Sequence, residues 1–291
     1  MQTKLRSALR AGRHLLLNPI SSEFDKVRRI VESGHDFALG AEIDRLIASS
    51  KNPLNRFGAK YFSQSDEDGI TLEILRRIEL GNGVFVELGV GNGLENNTLI
   101  LLASGWKGVW IGGEELAFNH GANPSRLAFR RAFITKDNLI STIDDGMKSL
   151  NCASIDLLSL DLDGNDIYFI DNILSHGILP AVVIVEYNGK FPPPIRWSIS
   201  YDSKHVWDGS DYHGASLQSM NDILSKYAYK LVCCNIGTGA NAFFVAERFR
   251  SAFDDVPIEL ADIFVPLRVN LFVQRGHHPS PSTVESMLKA S

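Results

Sequence analysis

VFVELGVGNGLENNT, residues Val84–Thr98, is the stretch from which the fold can be read. An apolar run ends in Glu87, and Gly89, Gly91 and Gly93 follow at alternate positions. Helix-forming residues resume near Leu94. This order predicts a strand, a glycine loop and a helix start, the arrangement by which an open α/β sheet builds a nucleotide site. Glycine lets the loop turn tightly and lets its backbone approach a ligand with no Cβ between them. The spacing is acid-x-G-x-G-x-G, not the G-x-G-x-x-G of dinucleotide-binding loops. A plain tight turn at a strand end is the competing reading.

Working outward, near-continuous apolar runs predict strands buried on both faces, as in a parallel sheet with helical crossovers. After Val84–Glu87 these are Val109–Ile111, Ala132–Thr135, Ile155–Leu160 and Ala181–Val185. The last two runs, Tyr229–Asn235 and Asn241–Ala246, are separated only by Ile236–Ala240. A connection that short makes an antiparallel hairpin, because a parallel crossover needs a dozen or more residues. Upstream, Ser63–Ile70 supplies capping oxygens and acids for a helix running through Arg77.

The first ~55 residues read as a helical preface. Lys4, Arg6, Arg10, Arg13 and His14 precede the first acid, Glu23, and Leu5, Ala8, Leu9 and Leu16 share a helical face. Such a basic amphipathic helix suits an anionic membrane surface or an acidic partner; a solvated terminal helix is the alternative. Pro19 is expected to end it, with Ser21 or Ser22 capping a second helix and a third over Ala38–Ala48. The division expected is 1–55 helical, 56–250 main domain and 251–291 extension. The apolar segment Pro257–Arg275 would pack on the domain or on a second subunit, making a homo-oligomer.

Composition narrows the function. At 291 residues and 44% hydrophobic, the chain can bury one sizeable core. A net charge of −5 argues against nucleic-acid binding by general phosphate attraction. No apolar run approaches the ~20 residues that span a bilayer. Cys152, Cys233 and Cys234 form neither a disulfide framework nor a C-x-x-C metal spacing. A cytoplasmic protein, working in part at the inner face of the membrane, is the expectation.

Several stretches together resemble the FkbM-like branch of the S-adenosylmethionine (SAM)-dependent methyltransferases. They are SQSDEDGI (Ser63–Ile70), FVELGVGNGLENNTLILLASGWKGVWI (Phe85–Ile111), IDLLSLDLDGND (Ile155–Asp166), VEYNGKFPPPIRW (Val185–Trp197), YHGASLQSM (Tyr212–Met220) and NAFFV (Asn241–Val245). They cover about residues 60 to 246 in family order. The resemblance implies a Rossmann-like class I methyltransferase fold: an α/β protein whose seven-stranded, mostly parallel sheet ends in an antiparallel hairpin. The strands predicted above fit that inventory, whereas a nicotinamide-dependent oxidoreductase would repeat a βαβ unit at the end.

The resemblance also implies residue roles. The glycine loop with Gly89, Gly91, Gly93 and Asn97 would hold the methionine part of SAM, and Glu87 would order it. An acid after the second strand would accept from the ribose hydroxyls. That position is Gly112 here, so Glu114 is the preferred candidate, ahead of Glu115. Asp137 and Asn138 fall where related enzymes contact adenine, and also where they would cap the helix from Leu139.

After the fourth and fifth strands stand Asp161, Asp163, Glu186 and Asn188. Adjacent parallel strands lie ~4.8 Å apart, so these groups can converge on one Mg²⁺-type or Mn²⁺-type site. The pattern is similar to that of metal-dependent catechol-type O-methyltransferases, apart from Tyr187 between acid and Asn. Without a metal the same acids would cap helices and hydrogen-bond SAM. His213 is the candidate general base and Lys190 the second candidate, which could instead pair with an acid. Pro192–Pro194 followed by Trp197, Tyr201 and Trp207 suggests an aromatic-walled loop suited to a sugar acceptor, or a plug over the sheet edge. The reading is a SAM-dependent O-methyltransferase acting on a glycan hydroxyl. A polyketide-type acceptor comes second, and a non-catalytic binding or assembly protein of the same fold is the rival from another class.

Overall fold

The structure is a computed structural model that describes residues 2–268 and 281–289, with side chains from residue 22 on apart from 282, 283, 286 and 287. One seven-stranded sheet lies at its centre. Its strands are β1 (Val84–Leu88), β2 (Lys107–Gly112), β3 (Leu127–Arg131), β4 (Leu157–Leu160), β5 (Val182–Glu186), β6 (Tyr229–Cys234) and β7 (Asn241–Ala246). They lie in the order β3-β2-β1-β4-β5-β7-β6. The first five are parallel, and β7 runs antiparallel between β5 and β6. This is the Rossmann-like, mostly parallel sheet with a terminal hairpin that the sequence predicts.

The crossover helices are α3 (Leu99–Ala103), α4 (Leu139–Ser149), α5 (Asp166–Ser175) and α6 (Leu217–Lys226). Sandwiching between helices explains why every residue of β4 and β5 is buried. Two further helices precede the sheet: α1 (Gln2–Ser49) and α2 (Glu67–Arg77). Two more follow it: α7 (Leu260–Ile263) and α8 (Pro281–Lys289).

Three elements depart from expectation. Residues 2–49 form one 48-residue helix where three were expected, and Pro19 does not end it. A mid-helix proline costs ~3 kcal/mol in a lost hydrogen bond and a clash, which strong helix formers on both sides can offset. The basic side chains of residues 4–14 lie outside the described residues. Strand β3 ends before the expected Ala132–Thr135, because pairing with β2 sets its register from Gly108↔Leu127 to Gly112↔Arg131. As an edge strand carrying Arg130 and Arg131, β3 lacks the apolar signature of its neighbours. Helix α3 begins at Leu99 rather than near Leu94, because the amides of Asn97 and Thr98 donate to the Glu87 side chain.

The acids of SQSDEDGI do more than cap α2. Asp66 accepts from the amides of Ile236 and Gly237 in the β6–β7 turn, at 2.9 and 2.8 Å. Glu67 Oε1 accepts from Asn235 Nδ2 at 2.9 Å. Asp68 Oδ2 gathers the amides of Tyr61, Phe62 and Ser63. A Cβ on Gly237 would lie 1.9 Å from Ser65 Oγ, so only glycine admits this approach. Downstream, Tyr187 Oη donates to the Val265 carbonyl, and the Arg268 amide donates to Thr238 O. The segment from 257 to 268 therefore packs on its own domain; 269–275 lie outside the described residues.

Candidate active site

The order of successive strands reverses between the parallel neighbours β1 and β4, and at such a switch point an open α/β sheet forms its ligand crevice beyond the carboxyl ends of the strands. The registers Leu88↔Leu160 and Leu160↔Val185 bring Gly89, Asp161 and Glu186 to one edge. A cavity of about 310 Å³ opens there. Its walls are Gly89 and Gly91, then Gly112, Gly113 and Glu114, then Ala132, Phe133 and Ile134. Asp161, Leu162, Asp163, Asn165, Phe169 and His205 complete it.

The glycine loop is shaped by contacts on both sides. Gly89 adopts φ +92°, and a Cβ there would fall 1.6 Å from the Asp161 carbonyl oxygen, so only glycine lets the loop pass this close to the end of β4. Gly91 (φ +47°) lines the cavity and has open space where its Cβ would be. Gly93 (φ +81°) sits against Leu116 and Phe118. Glu87 is buried beneath the loop. Its carboxylate accepts from the Asn97 amide at 2.9 Å, the Thr98 amide at 3.1 Å and the Thr98 hydroxyl. Burial nevertheless pushes it up to about 7. The Asn97 side chain donates to Ser159 Oγ at 3.2 Å and so fastens loop to sheet.

Glu114 and Glu115 separate cleanly. Glu114 lines the cavity, while Glu115 pairs with Arg131 at 2.6 Å. A side chain at Gly112 would crowd Val90 Cγ2 at 3.0 Å, which is why the strand ends in glycine and the carboxylate comes two residues later. The structure does not bring Asp137 and Asn138 to the cavity wall, where Phe133 and Ile134 stand instead. Asn138 Oδ1 accepts from the Thr135 amide at 2.8 Å, and its Nδ2 donates to Phe133 O at 2.9 Å. It therefore shapes the turn that presents those two apolar residues. Asp137 is exposed.

Asp161, Asp163 and Glu186 converge, each offering an oxygen within 4.8 Å of the others. Burial raises the Asp161 carboxyl well above the ordinary range, and Asp163, Asp166, Glu87 and Glu67 raise it further. Glu186 is likewise raised, first by burial and then by Asp161. Asp163 is raised less, because His213 and His205 oppose its burial. Asp163 holds φ +53°, an uncommon conformation for a non-glycine residue. Asp166 supports it by accepting the Leu162 and Gly164 amides at 2.9 and 3.1 Å, and is itself pushed up to about 6. Carboxylates this close repel one another, which favours a bound proton or a cation among them.

Asn188 does not stand free beside these acids. Its Nδ2 donates to the Asp211 and His213 carbonyls, and its Oδ1 accepts from the Lys190 amide. It secures the loop that carries His213. Lys190 pairs with Asp211 at the surface of that loop. His213 is 8% exposed, its Nδ1 lies 3.7 Å from Glu186 Oε1, and the Trp207 ring leans over it at 5.7 Å. Burial lowers its pKa. His213 Nδ1 and Glu186 Oε2 have no hydrogen-bond partner among the described residues.

The proline-rich insertion folds over this edge. Asn165 exchanges hydrogen bonds with the Asp202 backbone, and Tyr168 Oη donates to Ile199 O at 2.7 Å. Phe191 stacks on Trp197 with centroids 4.2 Å apart, and Tyr212 meets Trp197 edge-on. Asn165, Phe169 and His205 were not found by sequence reasoning. Asn165 and Phe169 lie in the first turns of a helix and look like cap and core, and His205 reaches the cavity only through the fold of the insertion.

No family model matches the chain, and no curated protein matches it in sequence. Among solved structures, it is similar to an O-methyltransferase from Bacillus cereus in complex with SAH. That likeness is at 14% identity with a TM-score of 0.37, over 71% of this chain and 89% of the other. A superposition this loose carries no residue-to-residue correspondence. The residues of this chain must speak for the site.

Proposed function

We propose that this chain is a SAM-dependent O-methyltransferase whose acceptor is a sugar hydroxyl of a glycan, glycolipid or nucleotide-sugar. One observation supports the reading most: His213 Nδ1 lies 3.7 Å from Glu186 Oε1, and Nδ1 and Glu186 Oε2 have no hydrogen-bond partner among the described residues, next to Asp161 and Asp163, which border the glycine-loop cavity. The motifs resembling the FkbM-like branch point the same way.

In this reading the glycine loop and Glu114 hold SAM, with Glu114 accepting from the ribose hydroxyls. The acceptor oxygen approaches the sulfonium methyl in line; the new C–O bond forms as the C–S bond breaks, and S-adenosylhomocysteine leaves. The hydroxyl proton passes to His213, kept neutral by its burial. Aromatic faces at Trp207 and Tyr212 suit a sugar ring.

Asp161, Asp163 and Glu186 fit a divalent cation of the Mg²⁺ or Mn²⁺ type: the donors are hard oxygens, they repel one another, and Glu186 Oε2 is an orphan. A cation held there would polarise the acceptor hydroxyl. Asn188, spent on the loop, is outside this set.

A non-catalytic binding protein of the same fold is the rival reading, and Gly112, standing where a ribose-binding acid is expected, is the feature that favours it. Against it, Glu114 lines the cavity and offers a carboxylate two residues later. Titration calorimetry with SAM is the first experiment, and no heat at millimolar SAM would sink the proposal. A screen of sugar acceptors, read by mass spectrometry for a 14-Da gain, then tests the acceptor class.

A further inference from the structure

The catalytic reading leaves α1 unused. Its last turns touch the body: Gly40 is buried, and Leu39, Ile43, Leu46 and Ile47 are half-buried. From Ser22 to His35 every residue is exposed. Within and beside that span stand Phe24 (74% exposed), Val27, Ile30 (71%), Val31 and Phe37 (81%). At 100° per residue these five spread over an arc of ~140°, wider than the two-position seam of a coiled coil.

Charge is distributed to match. Asp25, Glu32 and Asp36 fall on the opposite side of the helix by the same spacing. Glu23 falls on the apolar side but pairs with Lys26 at 2.6 Å. Continuing toward the chain start, the sequence holds Lys4, Arg6, Arg10 and Arg13 with no acid before Glu23. The first 22 residues thus carry +4, and the remaining 269 carry −9. Because the helix is continuous, the basic stretch and the apolar stripe belong to one rod of ~72 Å.

We propose that α1 lies in the interface of an anionic lipid surface, with Phe24, Val27, Ile30, Val31 and Phe37 entering the headgroup boundary and the basic stretch of residues 4–13 meeting the lipid charge. A wide apolar arc beside cationic residues is the pattern of an interfacial helix. A second copy is the less suited occupant: a parallel pair would set Arg10 and Arg13 beside their own counterparts. The acidic body, repelled by the same surface, would stand off from it.

The experiment is flotation of the full chain with vesicles of phosphatidylcholine, alone or with 30% phosphatidylglycerol, beside sedimentation of the free protein. The comparison variant is Phe24→Ser/Val27→Ser/Ile30→Ser, whose exposed positions leave the fold intact; an unchanged melting temperature verifies this. Expected are flotation with the anionic vesicles alone, its loss in 0.5 M salt, and at least tenfold weaker recovery of the variant. Three results would overturn the idea: no flotation of the native chain, equal flotation with neutral vesicles, or a native dimer that the variant dissociates. SAM binding, measured separately, is independent of all three.

Discussion

His213 Nδ1 lies 3.7 Å from Glu186 Oε1, beside the carboxyl but too far from it for a hydrogen bond. Burial lowers the imidazole below its ordinary pKa, so it is neutral at pH 7 and ready to accept a proton. His213→Ala should cut turnover by ~10²–10⁴. Affinity for SAM, measured by calorimetry, should change less than twofold. The acid limb of the native pH–rate profile should fall below pH 6.5 and be missing in the variant.

The two glycines of the loop should separate stability from binding. Gly89→Ala drives a Cβ into the Asp161 carbonyl and should cost about 3 kcal/mol or more in urea unfolding. Gly91→Ala has room, so the left-handed backbone costs only ~1 kcal/mol. Gly91 lines the cavity, so the added methyl should lower SAM affinity at least tenfold while the protein stays folded.

Glu114→Ala should weaken SAM binding about tenfold, roughly one charge-assisted hydrogen bond. Glu115→Ala, which removes only a surface ion pair with Arg131, should leave it unchanged. Equal effects of both would reverse the assignment.

The buried acids set a pH dependence of stability. In the folded state Glu87 and Glu67 titrate near 7 and Asp166 near 6, all above their unfolded values. Their contribution is complete below about pH 4 and is lost as pH rises toward 7. For Glu87 alone this is about 3 kcal/mol. The ligand-free protein should therefore melt lower at pH 8 than at pH 5. Millimolar Mg²⁺ should recover part of the difference, and Glu186→Gln should abolish that recovery; calorimetric scans read both. An unchanged melting temperature with Mg²⁺ at pH 8 argues against a cation site.

Much of this arrangement was legible because it is local. Val84–Leu88 and the glycines announce their own conformation, and the five-residue gap after Asn235 can only turn a hairpin. What escaped is set by partners distant in sequence. Strand β3 takes its limits from β2, and Glu87 delays α3 by holding two amides ten and eleven residues away. Asn188 has the residue type of a ligand, yet its amide is committed to carbonyls more than twenty positions downstream. Pattern gives residue type and spacing; it does not say which hydrogen bonds are already taken.

The tie between Asp66 and the Ile236–Gly237 turn spans 170 residues of chain. During synthesis Asp66 emerges long before its donors, and β5 has an unpaired edge until β7 follows. A nascent chain ending before residue 235 therefore holds a buried acid with nothing to satisfy it and an open strand edge prone to wrong pairing. Completion of the sheet is thereby timed to the last hairpin, and a chain cut before residue 235 should be recovered aggregated rather than folded.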